Sequence, residues 1–200
     1  EIEAADAMIT FWQNSTTETL YKDWIGGIAE GLTIKAGLYN DQKYLPTFLE
    51  NQLTALNIGA MQRYVNVGIT DVLSGAFVDN VSGGTLDTNL ADVLYASFSY
   101  AGFFPPAESM GGTWFDGSVI WELDVFSAVN KCLETHAQED VVVDILLSSA
   151  KTLKQVDASN FNSLQMGIRF LEVARYYGHM DGVLRAQFAY PNVQFRNIIS

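Results

Sequence analysis

Segments with helical periodicity alternate along this chain with short apolar or β-branched segments, and this alternation constrains the fold most strongly. Apolar residues recur at helical intervals in five segments, which we predict to be helices: 3–12, 44–56, 90–100, 125–135 and 161–177. Three segments alternate or are continuously apolar, which predicts strands at 63–70, 113–115 and 141–147. Together these elements predict an α/β domain in which a mixed or parallel sheet packs against helices.

Local patterns refine this prediction. The continuously apolar segment 141–147 is typical of a parallel strand that is covered on both faces. Residues 71–84 predict a turn and a short strand, whereas the glycines from 26 to 37 predict an irregular connection. Cys132 is expected to be a small buried hydrophobic residue. The predicted helix 161–177 should bury one apolar face, formed by Leu164, Ile168, Leu171 and Ala174.

Composition limits the class of protein and its partners. The 200 residues are 48% hydrophobic and 17% charged, which predicts one folded domain without long disordered segments. A formal net charge of −12 argues against nucleic acid as a main partner and against electrostatic docking on anionic membranes. No run of 18 apolar residues occurs, so no transmembrane segment is predicted.

The residues offer little to a metal or a cofactor, and neither is predicted. Cys132 is the only cysteine, which excludes an intrachain disulfide and a zinc site made of several thiolates. His136 and His179 are the only histidines, and neither has an Asp, Glu or His nearby at metal-binding spacing. We expect both histidines to be structural or solvent-facing.

Three segments, taken in chain order, form a recognisable set. The first runs from Gly31-Leu32 to Gly37-Leu38-Tyr39. The second covers residues 92–106 and ends in Ala-Ser-Phe-Ser-Tyr-Ala-Gly-Phe-Phe-Pro-Pro. The third is Thr-Trp-Phe-Asp-Gly-Ser over residues 113–118. In this order they resemble the GLYD-type, ASxAxPxFFPP and YxDGG/A segments of the patatin-like phospholipase family. The resemblance is clearest over residues 1–150.

The resemblance implies a fold and a chemistry. It implies one patatin-like domain over residues 1–200, with three layers and a mostly parallel sheet between helices. The family hydrolyses lipid acyl esters with a Ser-Asp dyad, so Asp116 is expected to be the catalytic base and Gly117 to support its turn. Phe103, Phe104 and Trp114 are candidates for the wall that contacts the lipid or acyl-ester substrate.

The serine of such a dyad is not found in this sequence. None of the 13 serines has glycine both two residues before it and two residues after it, as a Gly-x-Ser-x-Gly nucleophile requires. The resemblance therefore implies a domain whose N-terminal nucleophile segment lies upstream of Glu1. The alternative is a catalytically inactive patatin-like subunit that binds protein or lipid. It would pair with an N-terminal fragment of the same protein or join a larger assembly.

Each of these features also has a plain structural interpretation. Asp-Gly is a common turn dipeptide, so Asp116-Gly117 taken alone would indicate only a turn. Aromatic residues such as Phe103, Phe104 and Trp114 are also ordinary components of a hydrophobic core. A small-ligand binding module without catalytic chemistry is a third hypothesis, which no specific motif supports.

Overall fold

The computed structural model describes residue 6 and residues 9–13, 15–55, 63–82, 90–147 and 152–199. The chain contains two compact units, an N-terminal unit (Glu1–Ile120) and a C-terminal unit (Trp121–Ser200). Both combine helices with strands, so the α/β class is confirmed. The two units are defined only by the contacts within each of them. The single domain over residues 1–200 therefore stays a prediction.

The N-terminal unit begins with helical residues 9–13, which lie within the first predicted helix. Four further helices follow at α1 (Thr17–Leu20), α2 (Gly27–Thr33), α3 (Tyr44–Ala55) and α4 (Leu90–Phe98). Helices α3 and α4 confirm two predicted segments.

Helix α2 lies where we expected an irregular connection, so that prediction was wrong. The Glu30 carboxylate accepts a hydrogen bond of 2.8 Å from the Gly26 backbone N–H. This contact satisfies a backbone donor at the helix start, where Gly27 also adopts a positive φ of 64°. The glycines therefore begin a helix instead of interrupting one.

The sheet of the N-terminal unit has four strands, β1 (Val65–Asp71), β2 (Phe77–Ser82), β3 (Ala107–Ser109) and β4 (Gly112–Asp116). Their order is β2-β1-β4-β3, and every neighbouring pair is antiparallel. The expectation of a mostly parallel sheet is therefore wrong for this sheet. The reason is the connections, because short hairpin turns join β1 to β2 and β3 to β4, and such turns make neighbours antiparallel.

Both hairpin turns have a clear local cause. The Asp71 carboxylate accepts hydrogen bonds from the backbone N–H groups of Leu73 and Ser74, at 2.9 and 2.6 Å. In the second hairpin, Met110 and Gly111 have φ angles of 51° and 73°, as a two-residue turn between antiparallel strands requires. The turn and short strand predicted at 71–84 are thus confirmed over the described residues of this segment.

Helix α4 covers this sheet, and both α3 and α4 contribute residues to the core. Helix α3 packs on α4, and α4 contacts β1, β3 and β4. The buried apolar residues come from both helices and from the sheet: Leu45, Leu49, Ile69, Ala91, Tyr95, Ala96 and Ala107. The described part of the N-terminal unit is therefore an antiparallel sheet with helices packed against it.

The C-terminal unit contains α5 (Val125–Leu133), β5 (Val142–Leu146), α6 (Ser163–Ala189) and β6 (Gln194–Ile199). Strands β5 and β6 are parallel, which confirms the direction predicted for the segment 141–147. The prediction that this strand is covered on both faces is wrong, because Ile145 is the only buried residue of β5 and Leu146 is 73% exposed. Among the described strands, β5 pairs with β6 alone.

Two further predictions of burial are wrong in this unit. Leu164, Ile168 and Leu171 are between 51% and 63% exposed, whereas α6 buries Val183 and Ala186 near its C-terminal end. Cys132, in the last turn of α5, is exposed, and the buried residues of that helix are Val125 and Val129. Helical spacing predicts which residues share a face, but burial requires a packing partner along the whole length of that face.

A buried carboxyl group lies just before α3. Asp41 is fully buried, and among the described residues neither of its side-chain oxygens has a hydrogen-bond partner. Burial raises the pKa of Asp41 to about 7, because removing the carboxylate from water disfavours its charged form. Burial also raises the pKa of Tyr95, and the charges of Asp41 and Glu108 add to that effect.

We expect the stability of this protein to fall as the pH rises from about 4 to about 7. Asp41 ionises near pH 4 in the unfolded chain but only near pH 7 in the folded chain, so the folded state binds the proton more tightly. Asp41→Asn should remove much of this decline and raise the free energy of unfolding at pH 8 by roughly 1 to 3 kcal/mol.

Urea denaturation of both proteins from pH 4 to pH 8 measures this difference. Asp23→Asn is the matched control, because Asp23 is exposed in the same unit. Parallel pH profiles for the natural chain and Asp41→Asn would contradict the prediction.

Candidate functional site

Asp116 is the last residue of β4, and two neighbouring segments hold its backbone. It lies opposite Ile69 in the pairing of β4 with β1. Its N–H donates to the Ser99 carbonyl at 3.1 Å, and the Thr70 hydroxyl donates to its carbonyl at 3.3 Å. Ser99 and Thr70 are both buried, so the strand end that carries Asp116 is anchored in the interior of the unit.

Gly117 follows at the start of a 3₁₀ turn (Gly117–Val119), and it is buried against β1. A Cβ atom at this position would lie 2.5 Å from both the carbonyl carbon and the oxygen of Gly68. Backbone atoms cannot yield to such a contact, so the packing admits only glycine. Glycine is required at position 117 because the turn and strand β1 approach each other closely through their backbones.

The Asp116 carboxylate is half-buried, and both of its oxygens are engaged within the turn. Oδ1 accepts from the Ser118 backbone N–H and Oδ2 accepts from the Ser118 hydroxyl, each at 2.8 Å. These bonds fix the orientation of the carboxylate. They also show that Oδ2 accepts a serine hydroxyl at the distance that general-base catalysis requires.

Ser118 is the residue that sequence reasoning undervalued. The patatin-like motif has glycine or alanine at this position, and the hydroxyl of Ser118 is what occupies Oδ2. An aspartate that bonds the side chain and backbone two residues ahead is a common turn arrangement, which the spacing Asp-Gly-Ser could have indicated.

The three aromatic candidates for a substrate wall have different surroundings. Phe104 lines an apolar pocket. Phe103 is 49% exposed and contacts the Tyr100 ring at a centroid distance of 5.4 Å. Trp114 packs against the core of the unit, and its indole N–H donates to the Ser109 carbonyl at 2.9 Å. Of the three, only Phe104 lines this pocket.

The other residues of that pocket were not predicted to be site residues. They include Phe11, Phe48 and Phe98, which come from three separate helical segments. Helical spacing of Leu45, Phe48 and Leu49 was the available signal for one wall of the pocket. No pattern in the sequence indicated that this face of α3 lies next to Phe11 and Phe98.

The described residues hold no group of three or more His, Cys, Asp or Glu side chains that could bind a metal ion. His136 is exposed, and its Nδ1 lies 2.8 Å from the Thr135 hydroxyl. The side chain of His179 lies outside the described residues. In the described part of the chain, no helix is both long enough and apolar enough to cross a membrane.

The sequence matches no model of a known protein family, and no curated protein matches it significantly. The likeness to patatin-like phospholipases therefore rests on the three sequence segments described above.

We expect Gly117→Ala to destabilise the N-terminal unit by about 1 to 3 kcal/mol, because the added methyl group would collide with the Gly68 backbone. Gly167→Ala is the matched control, since nothing lies within 4 Å of a Cβ there and an exposed helical alanine is favoured over glycine.

Denaturation followed by tryptophan fluorescence and circular dichroism compares the two variants. Equal stability of Gly117→Ala and the natural chain would show that the two backbone segments do not approach this closely.

Proposed function

We propose that this chain is the part of a patatin-like lipid acyl hydrolase that supplies its catalytic aspartate, Asp116. The serine nucleophile would come from a Gly-x-Ser-x-Gly segment outside these 200 residues. The observation that carries the proposal is the Asp116 carboxylate, which is oriented at the end of a strand and accepts a serine hydroxyl at 2.8 Å. The proposal includes a patatin-like fold for the whole domain.

In the proposed reaction, Asp116 accepts the proton of the serine hydroxyl as the serine oxygen attacks the ester carbonyl. The tetrahedral intermediate collapses to an acyl-enzyme, and the leaving alcohol takes the proton back from Asp116. Water then attacks the acyl-enzyme while Asp116 removes its proton, and Asp116 returns that proton to the serine oxygen as the acyl group leaves. The products are a fatty acid, an alcohol or lysolipid, and the regenerated serine. The mechanism uses no cofactor and no metal.

The position of Asp116 suits this role physically. A carboxylate at a strand end, with its backbone bonded to buried groups, does not need to reorganise when it receives a proton. The Ser118 hydroxyl now donates to Oδ2, so it would have to turn away or share this oxygen with the nucleophile. Sharing is possible because a carboxylate oxygen has two lone pairs.

The charge of the chain restricts the substrates we propose. With a formal net charge of −12, the protein would reach phospholipids or neutral acyl lipids through apolar contacts instead of electrostatic attraction.

A second candidate function is a catalytically inactive subunit that acts by binding protein or lipid. Helix α6 supports it, because Phe170 and Phe188 are 69% and 82% exposed and several other apolar side chains of this helix are also exposed. Such surfaces often mark sites of association. The partner would be an N-terminal fragment of the same protein or a larger assembly.

In the natural full-length protein, we expect Asp116→Asn to lower kcat/KM for a fatty acyl ester by about 10²- to 10⁴-fold, which is the usual contribution of a general base. Ser118→Ala is the matched control in the same turn. It should keep most of the activity, because Ser118 is not the proposed nucleophile and its removal leaves Oδ2 free.

Ester hydrolysis by the purified variants, with circular dichroism to verify folding, separates the two candidate functions. Activity that persists in Asp116→Asn contradicts the hydrolase proposal. Loss of activity in Ser118→Ala with retention in Asp116→Asn would contradict the assigned roles. A natural protein whose intact mass and N-terminal sequence leave no room for the serine segment favours the binding subunit.

A further inference from the structure

The N-terminal unit contains an apolar pocket of about 100 Å³. Ten residues line it, of which the principal apolar ones are Phe11, Leu45, Phe48, Leu49, Phe98 and Phe104. No charged side chain is among the ten. The pocket therefore offers van der Waals contacts and no counter-charge to a ligand.

The two hydroxyl-bearing residues of the lining do little to make it polar. Ser15 donates its hydroxyl to the Phe11 carbonyl at 2.8 Å, which uses the group within the helical segment. The Tyr21 ring packs against the rings of Tyr39 and Phe104, at centroid distances of 4.8 and 5.4 Å. A cavity with so few polar partners holds water poorly and binds hydrocarbon instead.

The volume limits what can enter. A dry cavity of about 150 Å³ accommodates benzene, so about 100 Å³ accommodates roughly four aliphatic carbons. The pocket is not closed, because Trp12 and Phe98 in its lining are 61% and 44% exposed. A longer chain can therefore place its end inside while the remainder extends over exposed aromatic surface.

The pocket and the Asp116 turn are connected through one short segment. Phe98 lines the pocket, and the next residue, Ser99, accepts the backbone hydrogen bond of Asp116 at 3.1 Å. Phe104 lines the pocket from the other end of the same segment, where its N–H donates to the Tyr100 carbonyl at 3.0 Å. A ligand in the pocket thus contacts the segment that holds the strand end of Asp116.

We infer that this pocket binds the terminal carbons of an unbranched fatty acyl chain. Its role as the site for the acyl chain of the substrate rests on the proposed function, whereas the binding of an alkyl chain does not. The motifs of the sequence do not indicate Phe11, Phe48 and Phe98 as its contacts.

The test measures binding of sodium octanoate and 1-octanol to the 200-residue chain by isothermal calorimetry, with sodium acetate as the short-chain comparison. We expect both eight-carbon probes to bind and acetate not to bind, because the pocket contacts the chain and not the headgroup. Binding of octanoate without 1-octanol would overturn the inference, since it would indicate a site that recognises the charge.

Two variants locate the binding. Leu20→Trp adds bulk at the pocket lining and should weaken octanoate binding at least tenfold, whereas Leu73→Trp, at an 87% exposed turn position, should leave it unchanged. If Leu20→Trp does not fold, Phe98→Ala decides, because it removes a partly exposed wall and should weaken binding severalfold. Unchanged binding in the folded pocket variant overturns the inference.

This design separates the two proposals. Octanoate binding that depends on the pocket, in a protein whose full-length form hydrolyses no ester, supports the pocket and contradicts the hydrolase. Ester hydrolysis that depends on Asp116, without octanoate binding at the pocket, supports the hydrolase and overturns the pocket.

Discussion

The close approach of Gly117 to Gly68 is the constraint on which the candidate site depends. Because neither residue has a side chain, the turn after β4 lies directly against β1, where a Cβ at Gly117 would come within 2.5 Å of the Gly68 backbone. This packing brings the end of β4 next to Thr70 and Ser99, whose polar atoms bond the Asp116 backbone. The pairing of β4 with β1, the hydrogen bond to Ser99 just after α4 and the orientation of the carboxylate therefore all depend on this contact.

The segment from Phe98 to Phe104 joins that contact to the apolar pocket. Its first part bonds β4 through Ser99, and both of its ends line the pocket. Polar and apolar functions are thus separated along a few residues, because the Ser99 carbonyl bonds the strand end whereas the rings of Phe98 and Phe104 line the pocket. A proton-accepting carboxylate and a hydrocarbon site require different surroundings, and this segment borders both.

Much of the local structure could be predicted from the sequence. Helical periodicity indicated α3, α4 and α5, and the segment Thr113-Trp114-Phe115 followed by Asp-Gly indicated a strand that ends at a turn. The strand directions of the N-terminal sheet could not be predicted in this way. It depends on the connections between strands, and the two short hairpins of the N-terminal unit make its sheet antiparallel. The longest helix was indicated too, but its predicted inner face is largely exposed, since periodicity does not supply a packing partner.

By itself, the sequence determined helices α3, α4 and α5, the strand that ends at Asp116, the turn at Gly117 and the absence of a Gly-x-Ser-x-Gly nucleophile, because these depend on residues close together in the chain. Only the tertiary structure decided that Asp41 is buried, that Cys132 is exposed, and that Phe104 lines the pocket while Phe103 faces solvent. Burial and cavity shape depend on which distant segments meet. Neighbouring aromatic residues of equal hydrophobicity can therefore have opposite surroundings.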